Sequence, residues 1–133
     1  MRVVHPRALA LTLAVIYTVG VGIPQAQTSA NFESGGVRLH YNVRGTGPPV
    51  LLIHGFTGSA QRHFETPGIV DTLEKAGYRV ISMDCRGHGQ SAKPLDSDAY
   101  GLHMVEDVVR LLDHLRIDRA HVVGYSMGGA IVL

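Results

Sequence analysis

The chain reads as an α/β fold: a doubly wound, mostly parallel sheet with helical crossovers. Three observations predict it. Strand-like and helix-like patterns alternate, with strands at 50–53, 79–83 and 120–125 and helices at 61–76 and 102–115. That alternation calls for parallel pairing through crossovers. Val50-Leu51-Leu52-Ile53 is continuously apolar, as a strand covered on both faces must be. Three glycine-rich loops, 54–58, 84–91 and 124–129, each follow a strand, the end where such sheets gather their chemistry.

The first element is a leader. Arg2, His5 and Arg7 give a basic start, Ala8 to Ile23 is a mostly apolar run of 16 residues, and Pro24 to Ala30 supplies small polar residues. Basic, apolar, then small is the order of a secretory signal. The run would span only about 24 Å as a helix, short of the ~30 Å hydrocarbon core. Residues 1–26 are therefore read as a signal peptide, with cleavage at Ala26 or as late as Ala30. Residues 27–133 are read as the domain. The expected location is exported, periplasmic or secreted, with a membrane as partner only if the segment stays as an uncleaved anchor.

Composition excludes several functions. The chain has 133 residues, 45% hydrophobic and 17% charged, with a formal charge of +1 and no basic stripe, so nucleic acid is not an expected partner. Tryptophan is absent and 6% of residues are aromatic, which leaves no stacking platform. Cys85 is the only cysteine. It can form no intramolecular disulfide and is expected to be buried as a small hydrophobe.

Within the domain, Val37 to Arg44 alternates apolar and polar residues, the period-two mark of a strand. Gly35-Gly36 before it predicts a hairpin with a strand near 30–34. Gly45 to Pro49 is a loop without the G-x-G-x-x-G spacing, so no dinucleotide is expected. The helical pattern 61–76 ends at Gly77, a C-cap residue. In the next helix, from Leu102 to Leu115, apolar residues at 105, 108, 109 and 112 predict one buried face. The last strand, 120–125, runs into a helix that starts at Ser126.

Ser126 carries the most chemistry. It lies in Gly124-Tyr125-Ser126-Met127-Gly128-Gly129, where a sharp strand-to-helix turn would crowd the backbone two places either side. Gly124 and Gly128 relieve that crowding, and the following helix aims its free N–H groups at the turn. The plain structural alternative is a serine that caps its own helix.

Three motifs in order carry a family resemblance. His54-Gly55-Phe56 resembles the H-G-x oxyanion turn of the α/β-hydrolase fold. Asp84 to Ser91 resembles its D-x-R-G-x-G-x-S loop, and Gly124 to Gly129 its nucleophile elbow. The resemblance covers about residues 30–133, the N-terminal half of that fold. It implies Ser126 as nucleophile and the backbone N–H groups of Phe56 and Met127 as oxyanion donors. The implied activity is carboxylic-ester hydrolysis through an acyl-enzyme, on a small-molecule ester or related acyl compound.

No cofactor and no metal are expected, since His54, Asp84 and His88 lack the short spacing of a zinc motif. These three and Arg86 are read as loop-holding residues. An aspartate nucleophile, as in dehalogenase-like and epoxide-hydrolase-like relatives, is disfavoured by the serine at 126. Haloperoxidase-like, C–C bond hydrolase-like and aminopeptidase-like activities stay open, and a non-catalytic binding module is the alternative class. In the family order an acid and then a histidine follow the serine. All eight histidines here precede Ser126 and no acidic residue follows it. The expectation is a chain truncated before its acid and histidine, nearly inert by itself.

Overall fold

The computed structural model describes residues 27–133, so the expected signal peptide lies outside the described residues. Five strands form one sheet: β1 Thr28–Ser34, β2 Val37–Arg44, β3 Pro49–Ile53, β4 Arg79–Met83 and β5 His121–Gly124. Their order is β1-β2-β4-β3-β5. β3 pairs in parallel with β4 and β5, while β2 runs antiparallel to β1 and to β4. Three helices complete the fold: α1 Ile69–Lys75, α2 Leu102–His114 and α3 Met127–Val132.

The period of two along β3 and β4 builds two cores. Leu51, Ile53, Ile81 and Met83 face one side, with Val108 and Leu111 of α2 and Ile131 of α3. Val50, Leu52 and Val80 face the other, against Phe64 and Val70. Each such side chain contributes ~1.5–3 kcal/mol on burial. Helices on both faces make the sheet doubly wound, as the sequence predicts.

Two expectations need correction. The pattern 61–76 is not one helix. Gln61–Glu65 is a π-turn, closed by Thr66 N–H on the Gln61 carbonyl at 2.9 Å. Pro67 then offers no N–H to continue the ladder, and Gly68 turns the chain at φ 81° before α1 starts. α1 does end at Gly77, with Gly77 N–H on the Glu74 carbonyl and Tyr78 N–H on that of Leu73, the paired bonds of a Schellman cap.

The second correction concerns α2. Val108 is buried and Leu112 partly so, but Val105 and Val109 are exposed. The buried face turns instead onto Asp107 and Leu111, at 1% and 0% exposure. On that face Asp107 holds Arg86, whose Nε and Nη2 reach its carboxylate at 2.7 and 2.6 Å. The same face packs Met104, Val108, Leu111, Leu112 and Leu115 into or against the core, and Val105 and Val109 lie outside it.

Candidate active site

Two residues, Tyr125 and Ser126, turn the chain between β5 and α3. Tyr125 N–H donates to the Ile53 carbonyl at 2.9 Å, carrying the β3–β5 ladder one residue past the strand. Gly128 N–H then returns to the Tyr125 carbonyl at 2.9 Å. Between them Ser126 sits at φ 51° and ψ −112°, a sparsely populated region for a residue with a side chain. The turn is closed by close packing. A Cβ on Gly124 would lie 2.2 Å from the Gly128 carbonyl oxygen, and one on Gly128 would lie 2.1 Å from that of Ile53. Only glycine fits at either place.

The Ser126 side chain is exposed and makes no capping bond to α3. The helix-cap alternative therefore has no geometric support. Met127 is the first residue of α3, where N–H groups lack intrahelical partners. Among the described residues its N–H has no acceptor, and neither has that of Phe56.

The aim of Phe56 N–H follows from the peptide that carries it. The Gly55 carbonyl accepts from Gly58 N–H at 3.2 Å and from His54 Nδ1 at 2.8 Å. Carbonyl and N–H of one trans peptide point in opposite directions. Pinning the Gly55 oxygen thus fixes Phe56 N–H toward the other side. The same turn touches the elbow, because the Gly128 backbone packs on the carbonyls of Ile53 and His54.

His54 holds this loop. It is fully buried, its Nδ1 donates to Gly55 and its Nε2 accepts Cys85 N–H at 3.0 Å. Burial pushes its pKa below the ordinary histidine value, opposed by the bond to the Gly55 carbonyl. With both nitrogens committed, it has none to give a reacting group. Asp84 is likewise engaged, accepting Ala60 N–H at 2.8 Å and Gln90 N–H at 2.9 Å. Ser91 donates to the Asp84 carbonyl at 2.6 Å, and Arg86 spends its charge on Asp107. His88 Nδ1 meets the Arg86 carbonyl at 3.0 Å. These residues build the 84–91 loop, as read from the sequence. Cys85 is buried, and burial together with Asp107 and Asp84 pushes its thiol up to about 12, so it is no nucleophile near neutral pH.

Sequence reading missed His63 and the Arg86–Asp107 pair. His63 falls in what reads as an ordinary amphipathic helix, and nothing local marks it. Asp107 left no signal either, since it lies across the helix from the apolar residues 105, 108, 109 and 112. Among the described residues no histidine hydrogen-bonds the Ser126 hydroxyl, and no group of three metal-ligating side chains could hold an ion.

Comparison with known proteins shows the family. An epoxide hydrolase of Caballeronia sordidicola is 38% identical over 99 residues, 74% of this chain and 29% of that protein. The dihydrolipoyllysine-residue acetyltransferase component of an acetoin cleaving system from Pseudomonas putida is 41% identical over 117 residues, 84% of this chain and 30% of its own. Among solved structures, an epoxide hydrolase from an endophytic Streptomyces superposes with a TM-score of 0.70 at 37% identity, over 80% of this chain and 32% of that one. The chain thus spans under a third of the length of each of these three proteins. A family profile for the alpha/beta hydrolase fold matches residues 48–133. The chain belongs to the alpha/beta hydrolase fold family.

Proposed function

We propose that Ser126 is the nucleophile of an exported hydrolase that cleaves carboxylic esters through an acyl-enzyme. One observation carries the reading. An exposed serine is held in a strained turn at the start of α3, without the capping bond that would give it a structural task. Attack of Oγ on an ester carbonyl would place negative charge on the carbonyl oxygen, and the free N–H groups of Phe56 and Met127 suit that charge. Losing one such donor typically costs ~10²–10³ in rate.

The relatives include epoxide hydrolases, yet the side chain at 126 argues for acyl transfer. A carboxylate that opens an epoxide leaves an ester, which water can cleave at its carbonyl. A serine that opened an epoxide would leave an ether, with no carbonyl for water to attack. Serine chemistry turns over only when the substrate brings the carbonyl.

A histidine base is part of this reading, and among the described residues no histidine hydrogen-bonds the Ser126 hydroxyl. By themselves the 133 residues should be inert toward p-nitrophenyl acetate, since loss of the base alone costs on the order of 10⁶ in serine proteases. The test is a protein of the relatives' length that contains this chain. Ester turnover abolished by Ser126→Ala, with a fluorophosphonate adduct mapped to Ser126 and no opening of styrene oxide, is the expected result. Epoxide opening that survives Ser126→Ala would overturn it.

Export is part of the same proposal. β1 begins at Thr28, paired with Val43. Cleavage after Ala30 would strip paired residues from the sheet, which favours cleavage after Ala26. Mass spectrometry of secreted material should find Gln27 as the new N-terminus, whereas an intact Met1 on membranes would refute cleavage.

A further inference from the structure

We infer that His63 is a positioning residue that locks the oxyanion turn against the elbow; this rests on the function proposed for Ser126. Contacts from Gly55, Gly58 and Tyr125 converge on its ring, which also meets His54 edge-to-face at 6.2 Å between centroids. Gly55 N–H donates to His63 Nδ1 at 3.2 Å. The ring lies over Gly58 so closely that a Cβ there would fall 2.1 Å from it. On its other side the ring meets Tyr125 edge-to-face, with centroids 5.0 Å apart. Tyr125 is the residue before Ser126.

The consequence follows from the geometry of Gly55. Its carbonyl is fixed by His54 Nδ1 and by Gly58 N–H. Its own N–H is fixed by His63. Both peptide planes that meet at Gly55 are thereby set, and glycine, the residue freest to rotate, has no rotation left. The second of those planes ends in Phe56 N–H. Without His63 the first plane is released, and the aim of Phe56 N–H rests on the Gly55 carbonyl bonds alone, one of them from Gly58, the residue the His63 ring packs on. An oxyanion donor works because it is aimed before the charge arrives.

The role also fixes a tautomer. A nitrogen that accepts from an amide carries no proton, so neutral His63 holds its hydrogen on Nε2. The ring stands on the π-turn Gln61–Glu65, wound wider than an α-helix, and lies over Gly58. The break in the predicted helix 61–76 therefore has a use. A regular helix from residue 61 would carry position 63 along a different path.

Two substitutions separate the acceptor from the ring. His63→Phe keeps the packing on Gly58 and Tyr125 and removes the acceptor. His63→Asn sacrifices the ring but puts Oδ1 where Nδ1 stood. In the 133-residue chain, amide hydrogen exchange at Gly55 should quicken at least about tenfold in His63→Phe and return toward the wild-type rate in His63→Asn. In a protein of the relatives' length, His63→Phe should lower kcat about tenfold at unchanged KM and melting temperature, with His63→Asn recovering most of it. Equal Gly55 exchange in wild type and His63→Phe would overturn the inference, as would an unchanged kcat in His63→Phe. If Ser126→Ala still turns over, the hydrolase reading fails, and the exchange comparison still decides for or against the lock.

Discussion

At Ser126 the backbone holds a conformation that an L-residue adopts at a cost of ~1–3 kcal/mol. Glycine carries no such cost. Ser126→Gly should therefore raise the unfolding free energy by ~1–2 kcal/mol in a urea titration, while Ser126→Ala, equally strained, should leave it within ~0.5 kcal/mol. A Ser126→Gly chain no more stable than Ser126→Ala would show that the turn is relaxed. His54 supplies a second test at this scale. Its folded pKa lies below its unfolded value of about 6.5 because its neutral form is buried. The stability it contributes is whole above that value. It is lost as pH falls, because the unfolded chain takes up a proton that the folded ring refuses. The loss runs from about pH 6.5 down toward the folded pKa, at up to ~1.4 kcal/mol per pH unit. His54→Asn, although less stable at pH 8, should show a shallower decline, by as much as one proton, between pH 6.5 and 5. An identical slope would show that His54 carries no part of the decline.

Among the elements, α2 shows what hydropathy can and cannot locate. Its existence and bounds were legible, because the apolar spacing from Leu102 onward has the helical period. Its rotation was not, since periodicity treats Asp107 as polar and sends it outward. Its partner there, Arg86, lies 21 positions upstream in a different motif. The side chains of this pair are 3% and 1% exposed, with the Ser34 hydroxyl also on Asp107. Asp107→Asn would leave the Arg86 charge buried without a counter-ion, and should cost about 3–5 kcal/mol. Replacing both members, Arg86→Met with Asp107→Leu, should recover most of that loss. A double variant no better than the single one would show that the pair specifies the loop rather than merely needing its partner. The elbow was legible for the opposite reason. Gly124, Ser126 and Gly128 meet within one turn of chain, so their spacing in sequence is their spacing in space. His63 meets Gly55 and Tyr125 only through the fold, and no local pattern records that.

Over the whole molecule, two cores on opposite faces of one sheet make local opening costly at the centre, and Cys85 reports on that. Its thiol is 1% exposed and pushed up to about 12. At pH 8 a thiol reagent should modify the folded chain at least ~10²-fold more slowly than the urea-unfolded chain. Modification of folded protein at the unfolded rate would mean that the loop after β4 opens by itself. The strand order has a further consequence, for the time course of synthesis. β3 lies between β4 and β5, and both arrive after it; β5 begins about 70 residues later. At ribosomal speed that wait is on the order of ten seconds. Through it the most apolar strand of the chain has no partner on one edge, and the turn that holds Ser126 has no ladder to close on. Until its last strand emerges, a nascent chain carries the β1–β2 hairpin and an open edge on β3.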